Sequence, residues 1–378
     1  MSTLNIVIGS LERGGAERHL SEVMPMLRKR GYRIRVVLAD GLGDFIPIIK
    51  TADIEVVTFA QSLPKTRIIR GIIQFVLLFS FFRKHRNEAV HFFLPGSYIF
   101  GMIACMAAGQ KAIRIMSRRS LNNYQKTVPF SSIIEPFLHK HVNAVLANSQ
   151  KVCQQLLEEG VTKSQLSLIY NGIDLTRFEN AVNIRLSIGC MQDDLIFIIV
   201  ANLIPYKGHA DLIKALAFCS GKIPKWKLLC IGRDNGIQQE LESDASAAGI
   251  QDNIRWLGSR RDIENLLFSA DVGILSSHQE GFSNALLEGM ATGIPMIATD
   301  VGGNSEAIDE SCGILVPPHC PVRLADAIIQ LSTNPVLREQ MGSAGKQRVK
   351  NIFSLKNCVD LYDSFYQKTG IRKVMCAD

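Results

Sequence analysis

Residues Glu280 to Glu306 read EGFSNALLEGMATGIPMIATDVGGNSE, and the order of features in this stretch decides the fold. The apolar run ADVGILSS (Ala270 to Ser277) leads into it and reads as a strand. After Glu280 and Gly281, NALLEGMA has helical spacing, with Ser283 or Asn284 as N-cap. The strand PMIATD and the turn at Gly302-Gly303 follow. A loop entering a helix places free backbone N–H groups and the positive end of a dipole where an anion can sit. Glu280 and Glu288 have seven residues between them. A rise of about 1.5 Å per residue then puts them on the order of 10 Å apart, beside that anion site. One carboxylate near each end of a diphosphate suits a nucleotide sugar, with sugar hydroxyls at one end and ribose hydroxyls at the other.

Working outward, the same alternation fills the chain. LNIVIG passes through SLERGG into the helical run AERHLSEVMPMLRKRG, followed by RIRVVLAD, IEVVTF, AVHFFL, AIRIMSRR, AVLANS and SLIYNGID. A second series runs through LIFIIVANL, KLLCIG, IRWLG, VGILSS, PMIATD and GILVPP. Strands alternating with helices imply α/β architecture with doubly wound parallel sheets. At 378 residues two domains are expected. The polar, turn-rich segment Asn171 to Arg185 marks the seam, giving a first domain over 1–176 and a second over 177–352.

Hydrophobic content of 47% with 20% charged residues describes a globular chain. The formal charge of +7 favours anionic partners, either nucleotide phosphates or phospholipid headgroups. No compact Lys/Arg tract carries interleaved aromatics, so nucleic acid is not expected. Nine scattered cysteines without a CxxC pair read as buried thiols in a reducing cytosol. The start, MSTLNIVIGSLERGG, lacks a basic region and reads as a first core strand rather than a signal peptide. The apolar run Ile68 to Phe82, IIRGIIQFVLLFSFF, is too short to span a bilayer and is expected as a buried helix. Its basic flanks, Arg67 and Arg83-Lys84-His85-Arg86, leave an alternative in which one side meets an anionic membrane surface from the cytoplasmic side.

The segment from Glu280 resembles the donor-binding motif of retaining glycosyltransferases of the GT-B fold, specifically glycosyltransferase family 4 (glycosyl transferases group 1). The resemblance implies two Rossmann-like domains facing across a cleft, with the last segment, residues 353–378, crossing back onto the first. It implies that Glu280 contacts the transferred sugar and Glu288 the ribose, with Gly281, Phe282, Ser283 and Asn284 shaping the donor pocket. The stretch ANLIPYKGH resembles the family's Arg-Leu-x-x-x-Lys-Gly motif. Lys207 then grips the diphosphate, while Asn202 stands where relatives carry Arg. Arg233 or Arg260-Arg261 are candidates to restore that charge. Gly14-Gly15-Ala16-Glu17 resembles the family's GGAE turn, where backbone N–H groups approach donor phosphates or acceptor. Where relatives carry a His-x-His pair, this chain reads His91-Phe92-Phe93, so no catalytic histidine is assigned. Arg118 and Arg119 are candidates for an anionic acceptor.

The sequence holds no Asp-x-Asp. Its only closely spaced histidines, His139-Lys140-His141, read as core or surface residues rather than a metal site. Fixed cations and helix dipoles would then neutralise the leaving diphosphate without metal or cofactor. The expected activity is sugar transfer from a UDP- or GDP-linked donor to a glycan or lipid-linked acceptor in cell-surface polysaccharide or lipopolysaccharide synthesis. The alternatives are a nucleotide-sugar epimerase of the same fold and a non-catalytic nucleotide-sugar-binding protein.

Overall fold

The computed structural model describes residues 3–12, 14–39, 41, 43–59, 66–126 and 130–373. Arg13, Asp40, residues 374–378 and the side chains of Arg67 and Ile68 lie outside the described residues. The chain divides into two compact units, Met1–Gly172 with Leu355–Asp378, and Ile173–Ser354.

In the first unit, strands β1 (Leu4–Ile8), β2 (Ile34–Leu38), β3 (Glu55–Thr58), β4 (Ala89–Phe93), β5 (Arg114–Arg118), β6 (Ala144–Ala147) and β7 (Leu166–Leu168) alternate with six helices. These are α1 (Gly15–Lys29), α2 (Ile46–Thr51), α3 (Arg67–Lys84), α4 (Pro95–Ala107), α5 (Ser131–His139) and α6 (Gln150–Glu158). The sheet order is β3-β2-β1-β4-β5-β6-β7, and every pairing is parallel. The strands β1, β2 and β4 are buried throughout, as a sheet covered on both faces requires. The order reverses between β1 and β4, which makes that edge the ligand-binding switch point of the unit.

The second unit repeats the plan with β8 (Leu195–Val200), α7 (His209–Cys219), β9 (Trp226–Ile231), α8 (Gln238–Ala247), β10 (Ile254–Gly258), α9 (Ile263–Phe268) and β11 (Val272–Leu275). It continues through α10 (Asn284–Thr292), β12 (Met296–Thr299), α11 (Asn304–Ala307), β13 (Gly313–Val316), α12 (Pro321–Thr333) and α13 (Pro335–Ile352). Its parallel order is β10-β9-β8-β11-β12-β13, with the switch point between β8 and β11.

The last helix, α14 (Leu355–Lys368), returns to the first unit and packs on α1. Leu355, Cys358, Val359, Tyr362, Phe365 and Tyr366 form its buried face. Polar links fix its register: the Tyr362 hydroxyl lies 3.1 Å from His19 Nε2, and Tyr366 lies 2.8 Å from His91 Nδ1. His91 is fully buried and its other ring nitrogen meets Ser117 at 2.7 Å, so it is part of the core.

Two expectations need correction. The helix α3 is not simply buried: Leu78 and Phe82 face the core, whereas Ile69, Ile72 and Val76 are exposed. Its basic residues lie at the two ends, Arg67 and Arg70 at one and Arg83 and Lys84 at the other, and the apolar stretch between them buries one side only. Arg118 is not available to an acceptor. It is 2% exposed and its guanidinium is held by Glu135 and by Glu159, the latter at 2.6 Å. Arg119 is likewise engaged, with Asn171 and Tyr362. His139 and His141 do not converge: His139 joins the buried network through Glu159 and Tyr98, and His141 turns back to the Phe137 carbonyl.

This network sets an acid limit on the unit. Burial alone would raise the Glu159 carboxyl, but hydrogen bonds from His139 and Arg118 together with the Arg118 charge hold it down at about 2. A carboxylate depressed in the folded state contributes stability above its unfolded value near 4.5, and loses it as pH falls towards 2. Glu159→Gln is therefore expected to lower stability at neutral pH and to flatten its decline between about pH 4.5 and 2. Urea unfolding across that window checks this. An acid limb as steep as in the parent protein would contradict it.

Candidate active site

At the switch point of the second unit, two loops leave neighbouring strands and interlock. The first follows β8 and ends in a short 3-10 turn, Pro205–Lys207, before α7. The second follows β11 and carries Glu280 to α10. The His278 N–H donates to the Tyr206 carbonyl at 2.7 Å, and Ser276 Oγ donates to the Lys207 carbonyl at 3.2 Å. Gly208 makes this approach possible. Its φ is +71°, and a Cβ there would sit 1.9 Å from the Ser276 carbonyl oxygen.

The interlocked loops bring Lys207 Nζ to 2.7 Å from Glu280 Oε1. Burial works against the lysine charge, yet the Glu280 carboxylate outweighs it, and Lys207 is held above the ordinary lysine range. The ammonium therefore stays charged at neutral pH. His209, the first residue of α7, is 2% exposed beside it. Burial first, then the Lys207 charge, pushes that imidazole down to about 4, so it is neutral. Neither of its ring nitrogens has a hydrogen-bond partner among the described residues.

A third segment closes on Glu280 from the β12 side. Gly302, at φ +55°, approaches so closely that a Cβ would stand 1.9 Å from the Glu280 carbonyl oxygen. The Gly303 N–H donates to the Gly281 carbonyl at 2.9 Å. Ser283 caps α10, its Oγ accepting from the Leu286 N–H at 3.3 Å. Asn284 opens the helix at intermediate exposure, and Phe282 is buried against Phe353. The N-terminus of α10 and Lys207 thus present positive potential on either side of Glu280.

Glu288, on the same helix, is 3% exposed. Its Oε1 accepts from both terminal nitrogens of Arg177 at 3.3 Å, and Arg177 also grips Glu264, its Nε lying 2.8 Å from Oε1. Arg177 sits in the 3-10 turn Leu175–Phe178 just after the seam. Sequence reading took that segment only as a linker, although an arginine beside a buried carboxylate is what burial of Glu288 requires. His209 was missed as well, since nothing in the sequence marks it as buried.

The other candidates are placed as follows. Asn202 accepts the Arg233 N–H at 3.0 Å and so braces the next loop, while the Arg233 side chain is exposed. Arg260 pairs with Asp262 at 2.6 Å. In the first unit Gly14 is the N-cap of α1 and Gly15 its first residue. A Cβ at Gly14 would lie 2.2 Å from the Glu17 carboxylate, so the side chain of Glu17 folds back over the turn.

Comparison with known proteins agrees with this architecture. The family described as Glycosyl transferases group 1 matches residues 183–348, and Glycosyltransferase Family 4 matches residues 13–177. The chain is 25% identical over 380 residues to a lipopolysaccharide core biosynthesis glycosyltransferase, LpsD, of Rhizobium meliloti, covering 99% of this chain and 100% of that protein. It is 24% identical over 326 residues to an Escherichia coli UDP-Gal:alpha-D-GlcNAc-diphosphoundecaprenol alpha-1,3-galactosyltransferase, covering 81% and 82%. Among solved structures, Anabaena Alr3699/HepE in complex with UDP and glucose superposes with a TM-score of 0.85 at 21% identity, covering 97% of this chain and 100% of that one. With two parallel-sheet units and both family matches in place, this chain belongs to the group 1 glycosyltransferases of the GT-B fold and is a nucleotide-sugar glycosyltransferase.

Proposed function

We propose that the enzyme transfers a hexose from a UDP- or GDP-linked donor, with retention and without a divalent metal at the diphosphate, to a glycan or lipid-linked acceptor. The observation that carries this reading is the Lys207–Glu280 pair beside the capped N-terminus of α10. A diphosphate placed there would be met by a permanently charged ammonium and by backbone N–H groups, which is the neutralisation a departing diphosphate needs. Glu280 would exchange part of its contact with Lys207 for sugar hydroxyls. Glu288, held by Arg177, would accept from the ribose. In the step itself the C1–O bond to the diphosphate breaks as the acceptor oxygen bonds C1 on the same face. The leaving phosphate oxygen takes the acceptor proton. The chain's part is to position both substrates and stabilise the charge that develops.

The Escherichia coli relative is named for a diphosphoundecaprenol-linked acceptor and the Rhizobium relative for lipopolysaccharide core synthesis. These names support a lipid-linked glycan as acceptor here, met at the inner face of the membrane. Among the described residues no helix is long and apolar enough to cross a bilayer. The first unit does expose Ile69, Ile72 and Val76 on α3, Phe100 and Ile103 on α4, and Phe130, Ile133 and Phe137 at α5. The helix α4 packs against both α3 and α5, and Arg83, Lys84 and Lys140 are exposed on the same helices or at their ends. An apolar surface with basic neighbours suits shallow insertion into an anionic bilayer.

Two experiments test these readings. In the first, thermal shift and sugar transfer are followed together across UDP- and GDP-sugars with chelator present. One donor is expected to stabilise the protein and to be turned over. Lys207→Ala should lower kcat by about 10²-fold or more, the scale of losing a main electrostatic stabiliser. Glu288→Ala and Arg177→Ala should raise the donor KM roughly tenfold, the scale of one lost hydrogen bond to a charged group. Binding without turnover, or activity that chelator abolishes and magnesium or manganese but not zinc restores, would refute the proposed chemistry. In the second, Ile72→Glu combined with Ile133→Glu should abolish sedimentation with phosphatidylglycerol vesicles and leave transfer to a water-soluble acceptor intact. Unchanged sedimentation would remove the membrane contact.

A further inference from the structure

Three side chains that no sequence spacing links converge beside the loop that carries Lys207. Asp211 lies in the first turn of α7, His278 in the loop after β11 and His319 in the loop after β13. One ligating atom from each falls within 4.8 Å of the other two. His278 Nε2 is 2.8 Å from Asp211 Oδ2, and the His278 and His319 rings face each other with centroids 3.7 Å apart, tilted by 36°. His319 is also held at φ +57°, a backbone region in which a residue with a Cβ is strained. The fold thus keeps an imidazole at a position where glycine would be less strained, and aims it at a second imidazole.

We propose that Asp211, His278 and His319 form a binding site for a divalent transition-metal ion of the zinc class. Two imidazoles and one carboxylate make an N2O donor set, which suits zinc, nickel or copper and leaves a position for water. Magnesium and calcium prefer all-oxygen shells and are poorly matched. The 2.8 Å contact between His278 and Asp211 is the kind of pairing a metal replaces, with the shared proton released and both atoms turned onto the ion. A second cluster among the described residues, Glu135, His139 and Glu159, offers one imidazole and two carboxylates and is already neutralised. The guanidinium of Arg118 already holds both of its carboxylates, and that positive charge excludes a cation.

The site would act as a brace across the second unit. The strand β13 is at the sheet edge, β11 lies two strands inward, and α7 starts from the loop after β8. An ion held by all three segments ties the edge of the sheet to its switch point. His278 also donates its N–H to Tyr206, the residue before Lys207, so the ion would stiffen the loop that positions the ammonium. The proposal does not depend on the nature of the donor or acceptor, and its test reads metal binding directly.

The full-length chain, freed of any affinity tag and demetallated, is titrated with zinc sulfate by calorimetry and with cobalt chloride by visible absorption. One ion per chain is expected, with an absorption band of histidine-ligated cobalt and a rise in Tm with zinc concentration. His278→Gln and His319→Gly should each weaken binding at least tenfold. Because glycine relieves the positive φ at 319, the His319→Gly protein should be at least as stable without metal as the parent. Lost binding in that variant cannot then be attributed to unfolding. Cys320→Ser, next to the site, should bind as the parent does. Absence of stoichiometric binding, unchanged affinity in both histidine variants, or loss of binding in Cys320→Ser alone would each overturn the assignment.

Discussion

The candidate site of the second unit depends on one constraint, the close approach of two loops that carry opposite charges. Lys207 and Glu280 are 73 positions apart in sequence, and the strands β8 and β11 deliver them to the same edge because they are adjacent in the sheet. The loops can then interlock only where a side chain is missing. Gly208 against Ser276 and Gly302 against Glu280 both leave less than 2 Å to a hypothetical Cβ. Backbone hydrogen bonds from His278 and Gly303 lock the arrangement. The ammonium can stay charged while largely enclosed because the carboxylate offsets what burial costs it.

Charge is treated differently in the two units, and the difference separates support from site. In the first unit Arg118, Glu135 and Glu159 satisfy one another in the interior, with Tyr98, Tyr124 and His139 completing the network. Apart from the Arg118 Nε, which is buried without a hydrogen-bond partner, these polar atoms are met by protein groups, so the network fixes the packing of α5 and α6 on the sheet and leaves little for a ligand. In the second unit Lys207, Glu280, Glu288 and Arg177 stand where strand ends and a helix N-terminus meet. These charges lie at the switch point rather than inside a layer. That position, more than the identity of the residues, is what the proposed role at a bound anion rests on.

The alternation of strands and helices was legible from runs such as LIFIIV and VGILSS, because a parallel sheet buried on both faces needs short continuous apolar strands. The cap at Ser283 and the turn at Gly302-Gly303 were legible for the same local reason. The order of strands was not, since it is a property of pairing between distant segments. Arg177 escaped notice because its value comes from Glu288 and Glu264, 111 and 87 positions away. Arg118 was misread for the converse reason. Two adjacent arginines after a strand look solvated in a sequence, and only Glu135 and Glu159 show that the first is interior.

What the sequence determined by itself was everything governed by near neighbours. The βα units, the capped helix after Glu280 and the resemblance of EGFSNALLE and KGH to the group 1 glycosyltransferases are all written in runs of a few residues. The tertiary structure alone decided which charges meet. The Lys207–Glu280 pair, the Arg177 clamp on Glu288, the half-exposed α3 and the convergence of Asp211, His278 and His319 all arise between segments on different strands and helices. Periodicity and capping act over one or two turns of chain. Electrostatic pairing acts over a few ångströms of space, and only folding converts one kind of distance into the other.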